Sequence, residues 1–117
     1  MDQIPSSCPI PRWELLKREL RNAAPAVFDR LRASAPAGTL LDVRSPEEYA
    51  AFHFAGAVNC DYLGADFLEQ IEALDPSNEY LVYCRSGRRS VRACTLMRNA
   101  GIINLIHLDG GLNAYNQ

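Results

Sequence analysis

The segment Tyr80-Leu81-Val82-Tyr83-Cys84-Arg85-Ser86-Gly87-Arg88-Arg89-Ser90 runs from an uninterrupted apolar stretch through a polar turn into a helical pattern. Consecutive apolar residues at 80–83 are typical of a strand that is buried on both faces of a parallel sheet. From residue 88 to residue 100 the apolar residues recur at helical spacing, and Gly101 follows as a C-terminal cap. This strand–loop–helix unit predicts an α/β fold.

The sequence on either side repeats this alternation. Short apolar runs predict further strands at residues 39–43, 57–60 and 103–108. Helical patterns at residues 46–52 and 66–74 lie between them. Because strands that alternate with helices pair in parallel, we predict a central parallel sheet of about five short strands with helices on both faces.

The N-terminal third has a different pattern. Residues 1–11 are predicted to be an irregular arm, residues 12–22 an amphipathic helix, and Pro25 the start of a second short helix. We therefore divide the chain into residues 1–37, an arm and helices that pack on or flank the domain, and residues 38–117, the domain itself.

Length and composition exclude several classes of protein. The chain has 117 residues, of which 48% are hydrophobic and 22% charged, as expected for one folded globular domain rather than a disordered chain. The net charge of −2 argues against a protein that coats nucleic acid. No apolar run approaches the roughly 18–20 residues that span a bilayer, and the first twelve residues lack the apolar core of a secretory signal. We predict a cytoplasmic protein with no nucleic-acid or membrane partner.

The cysteines are irregularly spaced along the chain, at Cys8, Cys60, Cys84 and Cys94. They form no C-x-x-C pair, and neither His53 nor His107 is close to a cysteine in sequence. Zinc sites need clustered ligands, and disulfide scaffolds are unusual in a cytosolic chain of this size. We therefore expect no metal and no other cofactor, and interpret Cys94 as a core residue.

The loop that follows the predicted strand at residues 80–84 concentrates positive charge. Between Cys84 and Arg98 there are five arginines and no acid. A cysteine at this position faces backbone N–H groups and the positive end of a helix dipole, and both favour an anion, including the thiolate of Cys84. Gly87 permits the tight curl that directs successive N–H groups at one point. Arginines in the first helical turn oppose the dipole, which indicates a functional reason for them. The loop predicts a nucleophilic sulfur beside an oxyanion site.

Polar residues at other predicted strand ends are weaker candidates. Asp42 and Arg44 lie at the end of the strand predicted at residues 39–43 and could support the loop, although a structural ion pair or a role in the turn is the simpler interpretation. We interpret His53 and His107 as packed, hydrogen-bonded residues rather than as acids or bases.

Four segments carry a resemblance to a known family. They are LLDVRSPEEY at residues 40–49, His53 with GAVN at 56–59, CRSGRRS at 84–90 and GGLNAY at 110–115. In this order and spacing they resemble a rhodanese domain of the single-domain sulfurtransferase type, over residues 39–115. The chain departs from the family pattern at residues 52–55, which read Phe-His-Phe-Ala where the family usually has Gly-His-Ile-Pro, and in having Leu112 and Tyr115 where tryptophans are usual.

The resemblance implies a function for the loop. Cys84 would be the nucleophile that carries a persulfide. The candidate substrate-binding residues are those of the loop behind it, Arg85, Ser86, Gly87, Arg88, Arg89 and Ser90. Relatives that hydrolyse phosphate esters resemble cysteine phosphatases, with five residues between cysteine and arginine, whereas four separate Cys84 from Arg89. The shorter loop favours sulfane sulfur, and makes a phosphatase or arsenate reductase the less favoured alternative.

We therefore predict a thiosulfate-type sulfurtransferase. Its donor would be a small anion such as thiosulfate, and its acceptor cyanide, a thiol or a protein. Two alternatives remain open, a persulfide carrier that delivers sulfur to a partner protein and a non-catalytic interaction domain with the same fold. Cys60, at the end of a predicted strand, could also resolve the persulfide as a disulfide.

Overall fold

The computed structural model describes residues 10–116. The strands are β1 (Arg21–Ala23), β2 (Leu40–Asp42), β3 (Val58–Asn59), β4 (Tyr80–Tyr83) and β5 (Leu105–Leu108). The helices are α1 (Arg12–Lys17), α2 (Pro25–Ala33), α3 (Pro46–Ala51), α4 (Phe67–Glu72) and α5 (Arg88–Asn99), followed by a 3-10 helix at Gly111–Asn116.

The strands form one sheet in the order β1-β5-β4-β2-β3, and every pair in it is parallel. This confirms the predicted parallel sheet of about five short strands. Because all strands run the same way, their carboxyl ends meet at one edge, which is where ligands bind in open α/β sheets. The loop that begins at Cys84 leaves β4 at the centre of this edge.

Two apolar layers cover the two faces of the sheet, as predicted. Alternate strand residues supply the two layers because successive side chains of a strand point to opposite faces. One layer contains Val82 and Cys84 and packs against α4 and α5. The other contains Leu81 and Tyr83 and packs against α2 and the C-terminal 3-10 helix.

The predicted helix over residues 12–22 is wrong at its C-terminal end. Helix α1 ends at Lys17, and residues 21–23 form β1, in parallel register with residues 106–108 of β5. The Asn22 side chain donates to the carbonyl oxygens of Lys17 and Leu20, at 3.0 and 3.1 Å. These bonds satisfy carbonyls that a longer helix would have used, and pairing with β5 overrides the helical pattern of the sequence.

The segment that precedes residue 38 contributes to the same sheet. It supplies β1 as an edge strand and α2, whose Phe28 is fully buried against Phe54 and Tyr83. The division at residue 37/38 therefore remains a prediction about folding units. Most of the predicted arm, including Cys8, lies outside the described residues.

The remaining elements agree with the predicted ones to within a few residues at their ends. Within residues 10–116, no helix is long and apolar enough to cross a membrane. The same part of the chain contains no group of three or more histidine, cysteine or acidic side chains placed to hold a metal ion.

Candidate active site

Cys84 is the first residue after β4, and its side chain is buried beneath the loop that follows. Its Sγ accepts hydrogen bonds from the backbone N–H of Gly87, at 3.0 Å, and of Ser90, at 3.3 Å. The hydroxyl oxygen of Ser90 also lies 3.3 Å from Sγ. Donors directed at sulfur favour the charged thiolate over the thiol. The predicted cradle of N–H groups is therefore present around Cys84.

Two glycines make this loop geometry accessible. Gly87 precedes α5 with a φ of +98°, a conformation that disfavours any side chain. Gly111 lies where the turn after β5 meets the loop, and a Cβ there would lie 2.5 Å from the carbonyl oxygens of both Cys84 and Arg85. The next two N–H groups, of Leu112 and Asn113, donate to these same carbonyls at 2.9 Å. The C-terminal turn thus holds the loop from behind.

Glu48 of α3 joins the loop arginines. Its carboxylate accepts two hydrogen bonds from Arg89, at 2.8 and 3.1 Å, and forms an ion pair with Arg85 at 3.3 Å. The bonds from Arg89 lower the pKa of Glu48 to about 2. The Glu48 carboxylate thus brings together Arg85 and Arg89, two of the three arginines predicted to bind an anion. An anion bound by these arginines would lie next to the carboxylate.

The same carboxylate caps its own helix. Ser45 Oγ accepts the N–H of Glu48 at 3.2 Å, and Glu48 Oε1 accepts the N–H of Ser45 at 3.1 Å. This reciprocal pair is a capping box, which fixes the first turn of α3. Because one side chain makes both sets of contacts, the start of α3 and the position of Arg89 are coupled.

The third predicted arginine points elsewhere. The guanidinium of Arg88 lies 5.2 Å from the ring centroid of Trp13 in α1, a cation–π distance. Ser86 is exposed, and its hydroxyl accepts the Arg88 N–H at 3.4 Å. Arg88 and Ser86 therefore stand at the outer rim of the loop rather than around the sulfur.

Asp42 and Arg44 form a buried ion pair at the end of β2. Their side chains are 0% and 4% exposed, and the guanidinium binds both carboxylate oxygens, at 2.8 Å between Nη2 and Oδ2 and 3.0 Å between Nε and Oδ1. Arg44 Nη2 also donates to the carbonyl of Phe52. This geometry agrees with the structural interpretation made from the sequence. The pair also anchors the segment after α3 beside the loop.

Ser90 links the sulfur to a buried histidine. Ser90 Oγ lies 2.7 Å from Nε2 of His107, and Nδ1 of the same ring lies 2.8 Å from Asn22 Oδ1. Desolvation lowers the pKa of His107 to about 4. The ring, which sequence reasoning treated as structural, is packed as expected but is also in hydrogen-bond contact with the loop.

A groove of about 450 Å³ borders the loop on the α3 side. Its apolar wall consists of Phe52, Phe54, Leu112 and Tyr115, and its charged wall of Arg44, Glu48 and Arg85. Phe52 is 56% exposed, so its ring presents apolar surface to solvent at this groove. The groove offers space beside the loop for a molecule larger than a simple anion.

Cys60, Cys94 and His53 are not among the residues that contact the sulfur of Cys84 through hydrogen bonds. Burial raises the pKa of the Cys60 thiol and, more strongly, that of Cys94, which disfavours a reactive thiolate at either. His53 stacks on Tyr49, with ring centroids 3.8 Å apart, and its Nδ1 is 2.8 Å from that residue's carbonyl oxygen. The burial of Cys94 and the stacking of His53 on Tyr49 match the packing roles expected for these two residues.

Sequence reasoning missed three contributors to the site, Asn22, Glu48 and Trp13. Glu48 is 41 residues from Arg89, and Asn22 is 85 residues from His107. Only Glu48 carried a signal, because the Ser45–Glu48 spacing is that of a capping box. The other two depend on how β1 and α1 are placed by the fold.

Comparison with known proteins points to one family. A family model described as "Rhodanese-like domain" matches residues 24–117. The chain is 39% identical over 85 residues to Thiosulfate sulfurtransferase 16, chloroplastic, of Arabidopsis thaliana, a match that covers 64% of this chain and 71% of that protein. It is 31% identical over 98 residues to the thiosulfate sulfurtransferase GlpE of Pseudomonas entomophila, covering 83% and 85%. Other matching relatives are longer, and the match spans about half of two of them.

A solved structure agrees with these relatives. The human single-domain sulfurtransferase TSTD1 superposes with a TM-score of 0.65 at 25% identity, over 81% of this chain and 94% of that one.

Proposed function

The chain belongs to the rhodanese-like domain family, and on that basis we propose that it is a sulfurtransferase that carries a sulfane sulfur as a persulfide on Cys84. The observation that supports this most directly is the pair of backbone N–H groups, of Gly87 and Ser90, that donate to Sγ at 3.0 and 3.3 Å. Relatives named as thiosulfate sulfurtransferases make thiosulfate the first donor to test.

In the first half-reaction the Cys84 thiolate attacks the outer sulfur of thiosulfate. A bond forms between the two sulfurs, the original S–S bond of the donor breaks, and its electron pair leaves with sulfite. Arg85 and Arg89 lie where they can pair with the anionic end of the donor in place of Glu48. The N–H groups of Gly87 and Ser90 stabilise negative charge at sulfur before and after attack.

In the second half-reaction an acceptor nucleophile attacks the outer sulfur of the persulfide. Cyanide leaves as thiocyanate, or a thiolate leaves as a persulfide, and in either case the thiolate of Cys84 is regenerated. The chain's own residues account for binding and charge stabilisation in this scheme, so we propose no metal or organic cofactor.

The groove beside the loop supports an acceptor larger than cyanide. Its apolar wall suits the body of an organic thiol, and Arg85 at its rim suits an anionic group on that thiol. The exposed Phe52 ring also fits the surface of a protein acceptor, which keeps the persulfide-carrier alternative open.

A steady-state assay with thiosulfate and cyanide, run beside a phosphate ester, tests the proposed activity. We expect thiocyanate to form, Cys84→Ser to abolish its formation, and Cys94→Ser to retain it. Phosphate release without thiocyanate would contradict the proposal and favour the phosphatase alternative. Full loading of Cys84 with sulfur but slow turnover on every small acceptor would favour the carrier.

A further inference from the structure

His107 is a buried ionisable residue beside the loop that carries Cys84. It lies in β5 on the face that packs against α5, and the residue is 1% exposed. Its two ring nitrogens both have side-chain partners, Ser90 at Nε2 and Asn22 at Nδ1. Ser90 in turn contacts the sulfur of Cys84. The four side chains therefore form one continuous chain of contacts from β1 to the loop.

The direction of the hydrogen bonds in this chain is fixed at the Asn22 end. The Nδ2 amide group of Asn22 donates to two backbone carbonyls, those of Lys17 and Leu20. Reversing the amide would place its oxygen against both carbonyl oxygens, which is unfavourable. Asn22 therefore presents Oδ1 to the ring, and Nδ1 of His107 must carry the proton that it donates.

With the proton on Nδ1, the neutral ring has a free lone pair at Nε2. Ser90 Oγ, 2.7 Å away, donates its hydroxyl proton to that lone pair. The oxygen of Ser90 is then left with its own lone pairs toward Sγ, 3.3 Å away, and can accept from the thiol. The arrangement is a thiol–hydroxyl–imidazole chain. The carbonyl oxygen of Gly87 lies 3.1 Å from Ser90 Oγ and 3.2 Å from Nε2, where it can accept from the ring once Nε2 is protonated.

We propose that His107 is a positioning residue for Cys84, which takes up through the Ser90 hydroxyl the proton that the Cys84 thiol loses. This inference rests on the proposed role of Cys84 as the nucleophile. The S–H bond of Cys84 breaks and its proton moves to Ser90 Oγ, while the hydroxyl proton of Ser90 moves to Nε2. The electron pair stays on sulfur, Ser90 remains neutral, and the imidazole becomes an imidazolium.

The surroundings of the ring are consistent with a base that is neutral at rest. Desolvation lowers the pKa of His107 to about 4, so that the ring is neutral at rest and Nε2 keeps its lone pair. The backbone carbonyl of Gly87 and the carboxylate of Asp109 favour the charged ring, whereas Lys17, which pairs with Asp109, opposes it. Once the sulfur is negative, it becomes an additional counter-charge that the resting state lacks.

The first test needs no substitution. Nitrogen-15 NMR of the intact protein at neutral pH reports which ring nitrogen of each histidine carries the proton. We expect His107 to be the neutral tautomer protonated at Nδ1. A ring protonated at Nε2 would overturn the proposal, because Nε2 could then not accept from Ser90.

The second test follows alkylation of Cys84 by iodoacetamide against pH, with the site identified by peptide mass spectrometry. In His107→Asn, which keeps a polar group beside Ser90 but cannot take up a proton, we expect alkylation roughly tenfold slower at about pH 6 and no slower above about pH 9. The other histidine supplies the matched control, since His53→Asn should leave the profile unchanged. Ser90→Ala interrupts the same chain and should reproduce the shift, which keeps the test decisive if His107→Asn fails to fold.

A profile for the folded His107→Asn variant that coincides with that of the unmodified protein would overturn the proposal. So would a loss of equal size at every pH, because it would indicate a merely structural role. Alkylation requires no sulfur donor, so failure of the proposed sulfur transfer and failure of the proton path give different results. A protein that forms no persulfide but shows the expected profiles would refute the proposed function alone.

Discussion

Arg89 contributes to both the charge and the shape of the loop. Its side chain is 27% exposed, and its guanidinium lies in bidentate contact with Glu48, close enough to Cys84 for the two charges to interact. A donor anion would exchange the carboxylate for its own oxygens with little movement of the arginine. Arg85, which is 61% exposed, is less constrained and contributes less orientation.

We therefore predict that Arg89→Ala raises the KM for thiosulfate about tenfold, since a charge-assisted hydrogen bond contributes roughly 1.5–3 kcal/mol. The value of kcat should change less, because the backbone donors to sulfur remain. Arg92→Ala, one turn further along α5 and exposed, is the matched control and should leave KM unchanged. Equal effects at the two positions would indicate a general charge effect rather than a binding contact.

At the residue scale, the sequence predicts the site residues that lie close together in the chain. Cys84, Gly87 and Ser90 lie within seven positions, so their convergence follows from one strand–loop–helix unit. The roles of Glu48 and His107 could not be predicted, because each reaches the loop through packing of a separate element. The polar character of His107, within an otherwise apolar strand, was the only sequence signal for it.

At the scale of elements, the loop after β4 is held by the turn after β5. The contact is backbone against backbone, with Gly111 against the carbonyls of Cys84 and Arg85. A methyl group 2.5 Å from both oxygens has no flexible neighbour to displace, so one of the two segments must move.

Gly111→Ala should accordingly destabilise the protein by about 3 kcal/mol and reduce sulfur transfer, because the displaced segment carries Cys84. Chemical denaturation measures the first effect and the thiosulfate–cyanide assay the second. Gly38→Ala is the control, since φ is positive at both glycines, +61° at Gly111 and +84° at Gly38, but no heavy atom lies within 4 Å of a Cβ added at Gly38. It should lose only about 1 kcal/mol, from the left-handed backbone, and keep its activity. Equal losses at the two glycines would show that the close approach at Gly111 is unimportant.

The elements themselves were predictable to the extent that their patterns were local. Strands β4 and β5 and helix α5 have apolar patterns long enough to be recognised, and their positions are confirmed. Strand β1 was not, because Arg21 and Asn22 are polar and only three residues are involved. Its strand conformation follows from pairing with β5, a contact more than eighty residues away in sequence.

At the scale of the whole molecule, the N-terminal segment and the remainder share one core. Phe28 of α2 packs with its ring centroid 6.3 Å from those of both Phe54 and Tyr83. Removing residues 1–37 would expose the apolar face that Phe28 covers and leave β5 as an edge strand, paired only with β4.

We predict that a fragment of residues 38–117 shows no cooperative thermal unfolding, whereas residues 21–117, which keep β1 and α2, unfold cooperatively at a reduced Tm. Circular dichroism followed against temperature distinguishes the two. A cooperative transition in the shorter fragment would instead support residues 38–117 as an independent folding unit.

The stability of the molecule should fall in two stages as the pH is lowered. Folded His107 has a pKa of about 4 against an ordinary value of 6.5, so the unfolded chain binds its proton first and stability is lost between these values. Folded Glu48 has a pKa of about 2 against 4.5, so the stabilisation by its ionised form is lost between about pH 4.5 and 2.

Urea denaturation at a series of pH values measures both stages. We expect His107→Asn to remove the first and to leave the second, and Glu48→Gln to do the reverse. A His107→Asn variant that loses stability between pH 6.5 and 4 as steeply as the unmodified protein would contradict the first assignment.

The proposed sulfurtransferase activity depends on Cys84 as the carrier of sulfur. Peptide mass spectrometry after brief treatment with thiosulfate tests this directly, with Cys84→Ser treated in parallel. We expect the added mass of one sulfur atom on the peptide that contains Cys84, lost again on addition of cyanide and absent from the variant. No added sulfur on that peptide, or sulfur found instead on Cys60 or Cys94, would contradict it.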